Sequence, residues 1–311
     1  VAVLCRRFAV IRGGQVVAAA FSVMFFAYGL QFSYGVFASG MAAELGWSRA
    51  ATALPYSLYV FLYSALSAAT GRATDRIGPR PVITVGALLL GLGWGLSALV
   101  HEPWQLNLTL GLVAALGMSV AWVPCNATVS RWFTLKRGTA VAVASTGGSL
   151  GNLLVPALAA SLIGIWGWRW ALGVTAIVAA TLMLVAARFM VRDPESVGLW
   201  PDGATEAPPM TALGPGKTLA EVRASEPFLL LIAIYFMTWV PVFVPFVHAV
   251  AYAKDLGVSK VAAASVISAI GIGGTVGRLS SGVMSDWIGR MPALLGVFAL
   301  QAVAFVLFAS V

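Results

Sequence analysis

Sixty per cent of the 311 residues are hydrophobic and only 10 % are charged, with a mean hydropathy of +0.92. Ordinary soluble domains carry about 25 % charged residues, so a soluble chain of this length would lack the polar surface to stay in water. The net charge of +8 does not point to nucleic acid, because the basic residues sit in short clusters between apolar runs, the pattern that orients membrane helices.

Residues 1–12 form a basic flank with Arg6, Arg7 and Arg12. The uncharged run at 13–43 is longer than a signal-peptide core and lacks a convincing cleavage site, which predicts a first membrane helix. A helix needs about 20 apolar residues to cross the hydrocarbon. Further runs at 50–71, 81–100, 103–130, 138–168, 170–187, 227–253, 261–285 and 291–311 meet or nearly meet that length, so the sequence predicts nine helices. Between the sixth and seventh, residues 192–226 are polar and rich in Pro, Gly and Ala, and read as a flexible linker. Cys5 and Cys125 stand far apart and give neither a disulfide framework nor a metal spacing.

With the N-terminus inside, the inner segments hold Arg6, Arg7, Arg12, Arg72, Arg76, Arg80, Arg131, Lys136, Arg137, Arg188, Arg192, Lys217, Arg223 and Arg290. The outer loops hold only Arg49, Arg169, Lys254 and Lys260. This bias predicts a cytoplasmic N-terminus and a cytoplasmic linker.

One stretch occurs twice. Gly71, Asp75, Ile77, Gly78 and Pro81 recur as Gly282, Asp286, Ile288, Gly289 and Pro292 without a gap. Upstream, Leu45-Gly46-Trp47-Ser48-Arg49 faces Leu256-Gly257-Val258-Ser259-Lys260 in the same register. A period this long is a duplicated multi-helix half and not a solenoid repeat. Helices 7, 8 and 9 match helices 1, 2 and 3, so the chain looks like three-quarters of a twelve-helix protein. The expected organisation is a six-helix bundle at 1–191, the linker at 192–226, and the first three helices of a second bundle at 227–311.

Gly71-x-x-x-Asp75-Arg76-x-Gly78-x-Arg80 between helices 2 and 3, with its echo Gly282, Asp286, Gly289 and Arg290, resembles the major facilitator superfamily over nearly the whole chain. Three segments are similar to the monocarboxylate transporter group and its bacterial oxalate/formate-antiporter relatives. They are Arg131-Trp132-Phe133 through Lys136-Arg137-Gly138 into Ala144–Gly151; Arg192-Asp193-Pro194-Glu195 with Pro201-Asp202-Gly203; and Gly277-Arg278. The resemblance implies an all-α integral membrane protein of the major facilitator fold, with two pseudo-symmetric bundles and nine of twelve helices present. It also implies a multi-pass location in the plasma (inner) membrane. The expected activity is secondary transport of a small organic anion, of lactate, pyruvate, formate or oxalate type, by proton symport or exchange. The alternatives are export of another organic solute, or a non-transporting remnant or receptor. No Walker A motif, zinc-binding histidine pair or nucleophile elbow is present, so an enzyme is not expected, nor a cofactor or metal. The partners are the substrate anion, protons and the bilayer; nucleic acid is not expected.

The residues divide into a gate and a substrate site. Asp75 stands where helix 2 meets helix 3, near basic residues, and a carboxylate there can accept bonds from freed helix N–H groups. Gly78 permits a tight turn and Pro81 suits a first helical position. The resemblance makes Gly71, Asp75, Arg76, Gly78, Arg80, Asp286, Gly289, Arg290 and Arg131 gating residues; the bland alternative is a membrane-interface turn with positive-inside charges. Arg278 is the one charged side chain inside a proposed helix. A buried charge in a membrane is costly and faces a cavity or a partner, and a guanidinium fork suits a carboxylate. The resemblance gives this helix-8 arginine to an anionic substrate; the alternative is an arginine snorkelling to the surface or bound near Asp286. Animal monocarboxylate transporters carry an aspartate one turn before it, where Gly274 stands here, and a helix-1 lysine that is absent here. All 11 acidic residues fall outside the nine runs, so no membrane carboxylate offers a proton relay, and His248 is more simply a packed histidine. Asn126, Tyr34, Tyr28, Tyr59 and Tyr235 are further substrate candidates, with Gln31 and Gly35 on the face of Tyr28, Tyr56 and Tyr63 spaced with Tyr59, and Ser145, Ser149 and Asn152 on one face of helix 5. Each of these could equally be packing. Gly91/Gly95, Gly147/Gly148/Gly151 and Gly273/Gly277 predict close helix approaches.

Overall fold

The computed structural model describes residues 2–204, 219–255 and 260–309, with side chains at 11–204, 220–239, 242 and 271–308. The described residues are helical, joined by short turns. The helices are α1 (Ala2–Leu45), α2 (Arg49–Ile77) and α3 (Pro79–Ser97), followed by α4 (Pro103–Trp132). Arg137–Ala187 then runs as two helices, α5 (137–166) and α6 (168–187), meeting at Gly167 with φ 76° and ψ 164°. After a short helix at Leu219–Ala224 come α7 (Glu226–Asp255), α8 (Lys260–Ile288) and α9 (Arg290–Ala309). Residues 1–205 and 274–311 form one compact unit and 206–273 a second, so α8 belongs to the first from Gly274 onward.

Among the described residues five stretches are long and apolar enough to cross a membrane, at Ile11–Leu45, Pro79–Ser97, Pro103–Trp132, Arg137–Ala187 and Arg290–Phe308. The fourth contains both α5 and α6. Tyr, Ser and Thr keep α2 below that hydropathy although it is 29 residues long. The lipid-facing signature is clear on α3 and α4. Leu88, Leu92 and Leu96, and Leu108, Leu112 and Leu116, recur every fourth residue and all are exposed. Such stripes lie on one face of each helix, and exposed apolar faces of this extent belong against hydrocarbon.

The core of the first unit is built from the opposite faces. Met24, Leu30, Phe37, Tyr59, Ile83, Leu90, Trp94, Leu106, Leu110 and Leu172 are buried. α1 lies along α5 on a ladder of small residues. A Cβ on Gly147 would stand 2.9 Å from the Phe21 carbonyl carbon, one on Gly151 2.9 Å from that of Phe25, and one on Gly29 2.9 Å from Val155 Cβ. The partners climb in steps of four on both helices, so α1 and α5 run parallel and their backbones nearly touch. On α8, among the described residues, nothing lies within 4 Å of the positions at Gly273 and Gly277 where the sequence predicts a close approach. A close approach is seen farther along α8, where a Cβ on Gly282 would stand 2.7 Å from the Gly138 carbonyl oxygen and one on Gly138 2.6 Å from that of Gly282.

Several boundaries differ from the sequence reading. α1 begins at Ala2, inside the basic flank, because nothing there breaks a helix. α3 starts at Pro79, so that proline, and not Pro81, takes the first position with its fixed φ. α4 carries a π-helical stretch at Asn107–Ala114 and a turn at 119–122. The first part of the expected linker is folded. Residues 195–197 and 201–203 form 3-10 turns, and Asp202 holds them to the α4–α5 turn by accepting from the Thr134 N–H (2.8 Å), the Leu135 N–H (2.9 Å) and the Thr134 hydroxyl. Composition cannot show such a staple, since Pro, Gly and Asp serve tight turns and open linkers alike.

Candidate functional site

Two groups of polar residues stand out, one at the basic end of the bundle and one away from it. At the basic end the two copies of the repeat do different things. Gly78 (φ 89°, ψ 163°) and Gly289 (φ 90°) both adopt a backbone almost closed to other residues, turning one helix directly into the next. Asp75 does not cap α3. Its Oδ1 pairs with Arg131 Nη2 at 2.6 Å, with 57 % of its side chain exposed. The anion-at-a-helix-start geometry belongs instead to its copy. Asp286 accepts from the Gly138 N–H (2.8 Å), the Thr139 N–H (2.8 Å) and the Thr139 hydroxyl (2.7 Å), at the first turn of α5. The first N–H groups of a helix have no partner within it, and the helix dipole favours negative charge there. Partial burial pushes the Asp286 carboxyl up, but these three bonds and the Arg290 charge more than offset it and leave it below the usual carboxylate range. Asp202 follows the same balance: burial raises it, and the Thr134 hydroxyl with the N–H groups of Leu135, Thr134 and Lys136 brings it below the usual range. Two carboxylates, one from the turns after α6 and one from α8, thus hold the start of α5. The Gly138–Gly282 contact lets α8 come close enough for this.

The other gate residues surround that centre. Arg80 donates to the Arg188 carbonyl, and Trp132 Nε1 donates to the Val191 carbonyl at 2.9 Å. Arg76 and Arg290 are exposed and make no ion pair among the described residues. Gly71 lies against α4, where a Cβ would meet Val123 Cγ1 at 2.8 Å.

Away from the basic end the organising residue is Arg278, an exposed side chain on α8. It stands eight residues before Asp286, about 12 Å along α8, and turns toward α5. Its Nη1 donates to the Ser149 hydroxyl and to the Ser145 carbonyl (3.3 Å). It does not reach the Asp286 region, and among the described residues it forms no ion pair. Gly274 faces Ser149 at 4.0 Å, so no carboxylate takes the place one turn before. Tyr28 packs on the same patch of α5: a Cβ on Gly148 would stand 3.1 Å from Tyr28 Cδ2. The Tyr28 ring meets Trp122 edge-on, centroids 6.1 Å apart, and one turn below on α4 is Asn126, whose Oδ1 is buried without a hydrogen-bond partner. Arg278, Ser145, Ser149, Tyr28, Trp122 and Asn126 therefore converge from four helices.

Tyr34 and Tyr59, in the same unit, lie elsewhere. The Tyr34 hydroxyl donates to the Thr52 carbonyl, and its ring stacks on Tyr56 at 4.9 Å. Tyr59 is fully buried beside Trp94, and neither its hydroxyl nor Trp94 Nε1 makes a hydrogen bond of normal geometry. Both belong to the packing of α1, α2 and α3 and take no part in the Arg278 cluster. Tyr235 is on α7 in the second unit with half its surface exposed, and the side chain of His248 lies outside the described residues. Sequence reasoning missed a clamp at the end opposite the basic one. Trp168 Nε1 (2.6 Å) and Arg169 Nε (3.1 Å) both donate to Glu44, and Arg169 Nη1 donates to the carbonyls of Ala98 (2.9 Å) and Val100 (3.1 Å). The available signal was a lone basic residue, Arg169, in a region otherwise poor in charge.

Comparison with known proteins fits this geometry. The chain is 34% identical over 289 residues to monocarboxylate transporter 11 of Mus musculus, covering 92% of this chain and 62% of that protein. It thus spans less than two thirds of that relative's length. It is 26% identical over 250 residues to the Fujikurins efflux protein of Gibberella fujikuroi, covering 80% of this chain and 50% of that one. The fold is shared with the solved proton:xylose symporter XylE, with a TM-score of 0.66 at 16% identity, covering 90% of this chain and 70% of that chain. The family model described as Major Facilitator Superfamily matches residues 20–311. With the duplicated turn, the apolar helices and the helical bundle in place, the chain belongs to the major facilitator superfamily, a family of multi-pass membrane transporters.

Proposed function

We propose that this protein is a secondary transporter of a small organic anion, a monocarboxylate of lactate, pyruvate, formate or oxalate type, moving it by proton symport or exchange. The observation that carries the reading is Arg278: a guanidinium within an apolar helical run, solvent-accessible on one side and held to α5 by neutral oxygens, with no carboxylate partner among the described residues. An uncompensated charge in a membrane is costly, and an anion entering the site relieves that cost with a bidentate pair. Tyr28 and Asn126 add hydrogen bonds, Tyr34 and Tyr59 stand outside this inner group, and Tyr235 on α7 is a further candidate. Asp286 on the start of α5, Asp75 with Arg131, and the Arg80 contact act as a gate that opens as the bundles rock between access states. The basic end is cytoplasmic, with the N-terminus inside the inner membrane. The nine apolar runs carry no acidic residue, which leaves three proton routes: the substrate's own carboxyl group, His248, or a residue in segments outside this sequence.

The test is counterflow of labelled acids by the full-length protein in proteoliposomes, with and without a pH gradient. Arg278→Ala lowers carboxylate uptake more than tenfold, and Arg278→Lys restores a fraction, because an ammonium supplies charge without the fork. Carboxylate uptake that survives Arg278→Ala refutes the anion site. Likeness to an efflux protein favours one second reading, export of another organic solute; counterflow of neutral solutes with none of acids would establish it.

A further inference from the structure

Ser22, Ser33, Ser57, Ser67, Ser97 and Ser161 each turn their hydroxyl back onto the carbonyl four residues earlier, a common habit of serine inside a helix. Ser149 does not. It is 8 % exposed, and its hydroxyl faces α8, where it accepts from Arg278 Nη1. The carbonyl it would otherwise bond, that of Ser145, accepts from the same Nη1 at 3.3 Å, with the lone pair that the helix bond leaves over. One turn of α5 therefore holds out two fixed oxygens to one nitrogen of a long side chain with many rotamers. The close contact of Gly138 with Gly282, one turn farther along α8, brings the two helices within reach. One turn the other way, a Cβ on Gly274 would have only the Ser149 hydroxyl beside it, at 4.0 Å, among the described residues.

A guanidinium has two forks for a carboxylate, Nη1–Nη2 at its end and Nε–Nη2 at its side, and either can make two parallel hydrogen bonds. Ser149 and Ser145 occupy Nη1. Among the described residues nothing accepts from Nε or Nη2, and no carboxylate pairs with the group. The end fork would have to share Nη1 with the two serines; the side fork needs nothing moved. The α5 oxygens thus fix the guanidinium without consuming the edge that an anion uses.

We propose that Ser149 is a positioning residue for anion binding: its hydroxyl fixes the plane of the Arg278 guanidinium and leaves the Nε–Nη2 edge to the carboxylate. This rests on the anion reading of Arg278 and adds a residue that acts on the substrate only through it. Ordering a long side chain when a ligand arrives costs affinity, and holding it beforehand recovers about two- to tenfold per side chain. The benefit belongs to a planar fork. A lysine ammonium is a point charge with three rotatable donors and has no plane to hold.

The experiment is initial-rate uptake by the full-length protein in proteoliposomes, with whichever of labelled lactate, pyruvate, formate and oxalate the wild type takes up fastest. Ser149→Ala is expected to raise KM about fivefold, with Vmax within about twofold and the thermal midpoint unchanged. In the Arg278→Lys background the same substitution is expected to change KM less than about twofold, a non-additivity that marks action through the arginine. Should Arg278→Lys be too slow to measure, the split between KM and Vmax in Ser149→Ala decides alone. KM unchanged within about twofold in Ser149→Ala, an equal rise in both backgrounds, or a loss confined to Vmax with a lowered midpoint overturns the positioning role, while loss of uptake in Arg278→Ala keeps the anion site. Uptake that survives Arg278→Ala, or wild-type uptake of neutral solutes and none of the four acids, refutes the anion reading and the positioning role with it.

Discussion

Asp286→Ala removes the only side chain, among the described residues, that accepts from the first turn of α5 at both Gly138 and Thr139. Replacing an aspartate cap by alanine costs about 0.5–2 kcal/mol, and the loss of a negative charge at a helix start accounts for about 0.3–1 kcal/mol of that kind of effect. These overlap, so a net value near 1.4 kcal/mol is reasonable, which is a factor of about ten in an opening equilibrium. Hydrogen–deuterium exchange of the segment 135–142 reads this directly. The Gly138 and Thr139 amides exchange about tenfold faster in Asp286→Ala, and by a smaller factor in Asp286→Asn, whose amide oxygen still accepts one N–H but carries no charge. The pH sign is fixed by the carboxyl lying below its usual range. A group lowered on folding stabilises above its unfolded value, about 4, and loses that contribution as pH falls through the lower folded value. Between pH 5 and 8 the ratio of variant to wild-type exchange is therefore flat, after correction for intrinsic rates. Exchange at 138 and 139 unchanged within twofold in Asp286→Ala would refute the claim that this carboxylate holds α5.

Two other perturbations follow from the turns. Gly78→Ala places a Cβ on a backbone at φ 89°, ψ 163°, a region costing about 1–3 kcal/mol for other residues, and lowers the thermal midpoint of the detergent-solubilised protein, while Ala73→Gly on the same helix does not reproduce a loss of that size. Asp202→Ala frees the 195–203 turns from Thr134 and Leu135, and limited proteolysis cuts within 192–204 at least several times faster than in the wild type; an unchanged cleavage rate would show that the 3-10 turns stand without the staple.

The membrane class, the helix runs and the duplicated turn were legible from residues alone, because hydrocarbon imposes length and hydropathy on each segment separately. So were the special glycines of the turn, since the two copies at Gly78 and Gly289 share one conformation. Arg278 was legible too, because a charge inside an apolar run is conspicuous whatever it touches. Partners were not. Asp75 and Asp286 are indistinguishable in sequence, yet one pairs with Arg131 and the other caps α5. Tyr28 and Tyr34 share a helix, yet one faces the Arg278 patch and the other bonds to Thr52. Asp202 looked like linker and is a staple. The sequence by itself determined which segments are helices and which residues carry charge or strain, properties set by local covalent chemistry and the surrounding solvent. The tertiary structure decided which acceptor meets which donor, because that depends on how closely helices far apart in the chain can approach, and the small residues at the α1–α5 and α5–α8 crossings set that distance.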